Sequence, residues 1–154
     1  MNHDFQIRLI KREDESYLLA MMMEFYMSPA VIHKPTVELL KRDIEACFDE
    51  EIPLICIIFE IDNNIIGYSM ISKSFSTEYG LPCIWLEDLY IKNKYRRRGI
   101  GRYYFEYLKK EYPSDKYRIR LEVAKDNETA NRFYENNKLE EISYRQMQFP
   151  VKEK

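Results

Sequence analysis

Two short stretches hold most of the side chains that could do chemistry. In the run CIWLEDLYI, Glu87 and Asp88 interrupt an otherwise apolar, strand-like sequence. A carboxylate in such surroundings is unfavourable unless it is paired or useful, and partial burial raises its pKa toward neutrality, where it suits a general base. Neighbouring strand residues point to opposite faces, so the pattern puts Glu87 with Trp85, Leu89 and Ile91, and Asp88 with Leu86 and Tyr90. A few residues on, YRRRGIGR gathers Arg96, Arg97, Arg98 and Arg102 around Gly99 and Gly101 at the start of a helix-like segment. A helix start presents unpaired backbone N–H groups and the positive end of the helix dipole. Glycine lets an anion approach that backbone closely, and arginine grips phosphate with a fork of donors. The combination suits a diphosphate.

Other nucleotide motifs fit badly. A P-loop needs G-x-x-x-x-G-K-[ST], and a dinucleotide turn needs a third glycine where this chain has Tyr104. The 24 basic and 26 acidic side chains nearly cancel, at a formal net charge of −2, so no global charge draws nucleic acid to the chain. Cys47, Cys56 and Cys83 form no C-x-x-C pair and read as buried free thiols, with no metal expected. His3 and His33 are the only imidazoles, and neither adjoins a Ser or Cys motif of a hydrolase. The start of the sequence lacks a signal-peptide core, and the longest apolar run, IPLICIIF, falls far short of the ~20 residues a membrane helix needs. A cytoplasmic protein without membrane or nucleic-acid partners is expected.

The elements that must position these groups can be read from periodicity. FQIRLIK alternates as an opening strand. A helix follows from about Glu13 to Met27, with Met21 to Met23 most simply filling a core, and a second runs from an N-cap at Thr36 to about Asp49. LICIIFEIDNNIIGYSMISKSF reads as two strands joined at Asn63 and Asn64. After the CIWLEDLYI strand, a helix runs to about Tyr112, where Pro113 ends it. YRIRLEV is a strand, NETANRFYENN a short helix and YRQMQF a last strand. The order predicts a mixed α/β fold, one domain over 1–154 with a single central sheet.

The segment LEDLYIKNKYRRRGIGRYYFEYL resembles the signature region of the GNAT (Gcn5-related N-acetyltransferase) superfamily, whose Arg/Gln-x-x-Gly-x-Gly/Ala loop is carried here by Arg96, Gly99 and Gly101. NETANRFYENNKLEE resembles that family's later helix, with Asn127, Ala130, Phe133 and Tyr134 in register. The resemblance implies a mostly antiparallel mixed sheet flanked by about four helices, acetyl-CoA as cosubstrate, and a possible homodimer. It also implies that the pyrophosphate sits on backbone amides of Arg97, Arg98, Gly99, Ile100, Gly101 and Arg102. The pantetheine arm would run along Leu89, Tyr90 and Ile91 where the strand splays from its neighbour, with Asn127 helping to hold it. The family's usual glycine after the helix is replaced by Lys138, and Asn137 is expected to take the left-handed turn instead.

Acetyl transfer to an amine needs a neutral amine, stabilisation of the oxyanion and a proton for the departing thiolate. Glu87 is the first choice of base, directly or through a water, with Asp88 binding substrate or replacing it. Similarity of WLEDLYI to spermidine/spermine-type N-acetyltransferases implies that the carboxylates face a cationic amine. Tyr134 matches the family's general acid. The loops MSPAVIHKP, with His33, and KSFSTEYGLP, with Tyr79, are the candidates for selecting the acceptor. The resulting expectation is an N-acetyltransferase of a small primary amine, polyamine-like or amino-acid-like. A peptide acetyltransferase and an acetyl-CoA-binding domain without turnover are the alternatives.

Overall fold

The computed structural model of the protein describes residues 4–152, so His3 lies outside the described residues. Strands β1 (Phe5–Leu9), β2 (Leu54–Ile61), β3 (Asn64–Ser76), β4 (Leu81–Ile91) and β5 (Arg118–Leu121) form one sheet in chain order. The first four pair antiparallel, and β5 joins β4 in parallel. Helices α1 (Glu15–Met27) and α2 (Val37–Ala46) cover one face, and α3 (Ile100–Glu111) and α4 (Glu128–Asn136) the other. The mixed, mostly antiparallel sheet with four helices is the architecture the sequence led us to expect.

Cover on both faces explains why β2 is apolar on both parities. Cys56 and Ile58 face α1 and α2, where Leu18, Met21, Met22, Leu40 and Ile44 pack with Tyr68 and Met70. Ile57 and Phe59 face Ile100, Tyr104, Phe105 and Leu108 of α3, a helical stripe. Thr36 caps α2 by accepting from the Leu39 amide at 3.3 Å. Arg8 ties β1 to the start of α1 and to β2 through Asp14 at 2.7 Å and Glu60 at 2.6 Å. Together these contacts fix the helices over the sheet.

Three local expectations need correction. The β2–β3 hairpin turns on Asp62 and Asn63, both at positive φ, while Asn64 already pairs with Ile61. A two-residue turn whose twist suits the strands needs left-handed backbone at both central positions, and Asp and Asn tolerate it. After α4 it is Lys138, at φ 68°, that takes the left-handed turn, whereas Asn137 stays at φ −89° and donates its side-chain amide to the Phe133 carbonyl. YRQMQF forms no strand, and the chain from Leu139 to Val151 has neither helix nor strand. Alternation alone does not make a strand; a ladder partner is required, and that segment pairs with none.

Candidate active site

Strand β4 carries a bulge at the two carboxylates. Met70 of β3 pairs with Asp88 and Ile71 with Leu86, so Glu87 is an extra residue without an opposite number. A bulge sets two consecutive residues against one and breaks the alternation of faces. Leu86 consequently packs in the α3/α4 core while Asp88 and Tyr90 turn to α1 and α2. Glu87 accepts from the Ser72 hydroxyl at 2.7 Å, and Ser72 shares its parity with Met70 on the α1/α2 side. The two carboxylates therefore lie on one face, not the opposite faces that strict alternation predicts, and Asp88 no longer shares a face with Leu86.

The pair is unequal. Asp88 is 3% exposed and Glu87 is exposed. Tyr26 of α1 donates to Oδ1 of Asp88 at 2.8 Å and Tyr68 to Oδ2 at 2.9 Å. Burial raises the Asp88 pKa, the two phenols pull it down and the charges of Asp43 and Glu87 push it up again, leaving it at about 6. Behind it, Tyr104 donates to Ser69 at 2.8 Å, and Ser69 donates to the Asp88 carbonyl at 2.9 Å. Asp88 is thus held rigidly as a carboxylate able to take a proton near neutrality. Tyr26, Tyr68, Glu24 and Asp43 escaped the sequence reading. A signal did exist for Tyr68, a phenol in the middle of a strand covered on both faces, because its hydroxyl must find a partner there.

Glu24 accepts from the Tyr90 hydroxyl, and Asp43 on α2 is half-buried, with a carboxyl pKa raised by that burial. Glu24, Asp43, Glu87 and Asp88 make no ion pair among the described residues. The α1/α2 side of β4 accordingly gathers four carboxylates, with the Arg96 guanidinium 5.5 Å over the Tyr90 ring as a neighbouring cation.

At the C-terminal end of β4 the anion loop has two glycines with different tasks. Gly99 is the N-cap of α3 at φ 81°, and a Cβ built there would meet nothing within 4 Å. Its backbone conformation is the constraint, and the ground before it is open. A Cβ on Gly101 would lie 2.9 Å from the ring of Phe133, so this glycine is needed for α3 to pack on α4, rather than for anion approach. Arg97 is also left-handed, at φ 60°. Arg96 donates Nε to the Ile91 carbonyl at 2.7 Å and Arg98 lies over the Tyr95 ring. Arg96, Arg97 and Arg98 thus lead into α3, and Ile100 and Arg102 lie in its first turn, whose backbone N–H groups favour phosphate.

The parallel ladder of β4 and β5 covers only Cys83 to Leu86 against Arg118 to Leu121. Beyond Leu86 the strand keeps β3 as its partner, so Leu89, Tyr90 and Ile91 border a gap that opens toward the anion loop. Tyr134 packs against Phe105 and Phe133 in the same core cluster as Leu89 and Ile91, on the α3/α4 side of that gap. Burial pushes its phenol pKa up. Its hydroxyl is committed to no hydrogen bond with the described residues. Asn127 caps α4, accepting from the Ala130 amide at 3.3 Å. His33 is exposed in the loop from α1 to α2, downstream of Tyr26. Tyr79 lies in the β3–β4 turn under the Arg118 guanidinium, 4.5 Å away. It is at the opposite end of β4 from the anion loop and is not brought to the carboxylates.

The same fold recurs in solved structures. The acetyltransferase (GNAT) family model matches residues 19–138. No curated protein sequence matches the chain significantly. A possible acetyltransferase from Clostridium difficile 630 superimposes with a TM-score of 0.83 at 20% identity, over 97% of this chain and 99% of that one. An aminoglycoside acetyltransferase from an uncultured soil metagenomic sample, in complex with sisomicin, gives 0.70 at 17% identity, over 96% and 97%. A ribosomal-protein-alanine N-acetyltransferase from Brucella melitensis biovar Abortus 2308 gives 0.72 at 12% identity, over 96% and 99%. At these identities the structural likeness speaks for the fold.

Proposed function

The chain belongs to the GNAT acetyltransferase family, and on that premise we propose that it transfers an acetyl group from acetyl-CoA to a primary amine of a small, multiply cationic acceptor of the polyamine type. The observation that carries this reading is the β4 bulge. It sets Glu87 and Asp88 side by side on one face, where β5 leaves β4, with Glu24 and Asp43 adding two further carboxylates on the same side.

The residues fit the cosubstrate. Open ground before Gly99, the arginines of the loop and the α3 amides suit the diphosphate, and the edge of β4 at Leu89 to Ile91, without a β5 partner, suits the amide groups of the pantetheine arm. Asn127, the N-cap of α4, is the residue proposed to help hold that arm. Acetyl-CoA supplies the activated acyl group as a thioester.

The acceptor ammonium is drawn to the α1/α2 face, where Glu87 holds it at the surface. Its proton passes to Asp88, whose pKa is raised to about 6, through Tyr26, which gives its own proton to Asp88 as it takes one from the amine. On this reading Asp88, and not Glu87, is the base. N–H groups on the open β4 edge can stabilise the carbonyl oxygen as it gains charge. Tyr134 on the other side of the gap gives its proton to the leaving sulfur. Burial keeps its hydroxyl protonated, and the same dry surroundings raise the proton affinity of the departing thiolate. Amine and leaving group would thus stand on opposite sides of the acyl carbon.

The test is thiol release from acetyl-CoA with a panel of polyamines, amino acids, aminoglycosides and lysine or N-terminal peptides. Diamines and polyamines should give the highest kcat/KM, falling as salt screens the acidic face. A preference for peptide N-termini would overturn the acceptor class. Binding of acetyl-CoA with no release by any acceptor would overturn the enzyme reading in favour of a CoA-binding domain.

A further inference from the structure

The acceptor side of the sheet does not end at the carboxylates. α1 and α2 pack over it at Tyr68 and Met70, and from Glu87 toward the start of β4 it runs on as a floor that is only partly covered, with Ser72, Trp85, Arg118 and Arg120 half-buried and Ser74 exposed. The ladders set this floor in two rows. Ser72 of β3 stands opposite Trp85 of β4 and Trp85 opposite Arg120 of β5, and two residues away Ser74, Cys83 and Arg118 align in the same way. Ile84, Leu86, Ile119 and Leu121 belong to the α3/α4 core, so alternation turns both rows to the acceptor side.

This end of the groove is positive. The Arg120 guanidinium lies 4.4 Å over the Trp85 ring and that of Arg118 lies 4.5 Å over Tyr79, where it also donates to the Ser76 hydroxyl at 3.2 Å. Among the described residues neither guanidinium forms an ion pair. Stacking satisfies the face of a guanidinium and holds its plane, but leaves the N–H donors along its edge to be met by something else. A planar fork of that kind fits a carboxylate, two parallel bonds to two oxygens. Ser72 joins this floor to the catalytic end, since its hydroxyl donates to Glu87 at 2.7 Å while its backbone pairs with Trp85. With ~3.3 Å per residue along β4 and about 4.8 Å between strands, the position of Arg120 lies about 8 Å from that of Glu87. An extended five-carbon chain bridges that separation.

We propose that Arg120, backed by Arg118, is an anion subsite of the acceptor groove, and that the acceptor is a diamine bearing a carboxylate, with its reacting amine at Glu87 and Asp88 and its carboxylate on the guanidinium over Trp85. The inference rests on the amine end of the reading above and narrows its acceptor class. It also gives the acceptor a direction. A plain diamine still reaches the carboxylates, but its far ammonium is repelled from this floor and drawn toward Asp43 and Glu24 instead.

Pentane-1,5-diamine and lysine differ by one carboxylate, and thiol release from acetyl-CoA with each gives a ratio of kcat/KM, lysine over diamine. Arg120→Gln should lower that ratio about tenfold, the loss of one hydrogen-bonded charge contact. Arg120→Lys, which keeps the charge and loses the fork, should fall between the two. Binding is read separately, because Trp85 is the only tryptophan of the chain. Lysine titrated into the CoA-loaded protein should change Trp85 emission in the parent and not in Arg120→Gln, while acetate or inorganic phosphate at the same concentration should leave it unchanged. Release by the diamine with an unaltered ratio in Arg120→Gln would overturn the subsite and leave the amine reading standing. A Trp85 response to lysine, lost in Arg120→Gln, with no release by either amine would support the carboxylate site and sink the acceptor reading. An equal response to acetate or phosphate alone would overturn the subsite too, since the floor would then take any free anion.

Discussion

Gly99→Asp separates the anion loop's role in binding from its role in folding. The position has φ 81°, and the added Cβ meets nothing within 4 Å, so the protein itself offers no clash. The folding penalty is that of a left-handed non-glycine residue, about 1 kcal/mol, which for a chain of this length lowers Tm by roughly 2–4 °C. The binding penalty is larger. The carboxylate enters the open ground where the diphosphate is proposed to sit, and two like charges about 5 Å apart at an effective dielectric of 20 repel by about 3 kcal/mol, on the order of a hundredfold in affinity. Titration calorimetry with CoA, beside a thermal melt without it, reads both effects. Gly99→Ala keeps the strain without the charge and should lose far less affinity. A folded Gly99→Asp protein that binds CoA within threefold of the parent would refute the placement of the diphosphate before α3.

Other perturbations follow from the same geometry. The rate with a polyamine should fall about tenfold per pH unit below about 6, as Asp88 takes up its proton, and Asp88→Asn should lower kcat and remove that limb, whereas Glu87→Gln should mainly raise KM; the reverse pattern returns the base to Glu87. Because the folded-state pKa of Asp88 is raised, its contribution to stability improves as pH drops from above 6 toward 4, so Asp88→Asn should melt no lower than the parent at pH 8. Tyr134→Phe keeps the ring packed on Phe105 and should leave Tm unchanged while cutting kcat by about 10²–10⁴; an unaltered kcat removes Tyr134 as the acid. Gly101→Ala puts a methyl 2.9 Å from the Phe133 ring and should destabilise the α3–α4 contact by about 1–3 kcal/mol, seen as a lower Tm with or without CoA.

Most of the fold was legible because its elements obey simple periods. β2 is apolar on both parities because helices cover both faces, and α3 shows its stripe of Ile100, Tyr104, Phe105 and Leu108 between a glycine start and Pro113. What failed was whatever depended on a partner out of sight in the local sequence. The YRQMQF alternation promises a strand, but a strand exists only with a hydrogen-bonded neighbour, and that segment pairs with none. Lys138 occupies the left-handed turn despite its Cβ because the Tyr134 carbonyl is already bonded by the Asn137 and Leu139 amides, closing α4 around it. Neither fact is written in the residues themselves.

The carboxylate pair shows why a site is harder to read than the fold that carries it. Both residues stand out in the sequence, yet alternation assigns them to opposite faces and so to different tasks. One inserted residue at Glu87 reverses that, bringing both to α1 and α2 and leaving Leu86 behind in the other core. The same irregularity falls at the end of the β4–β5 ladder, where β4 must part from its parallel neighbour to leave the gap. An extra residue bends its strand and increases the local twist, and here it falls where the β5 ladder ends at Leu86 and Leu121. Removing Glu87 from the chain would therefore do more than delete a charge: it would restore alternation, return Asp88 toward the α3/α4 core against apolar side chains, and favour continuation of the β5 ladder across the gap. The catalytic arrangement proposed here rests on a backbone defect first, and on the two carboxylates second.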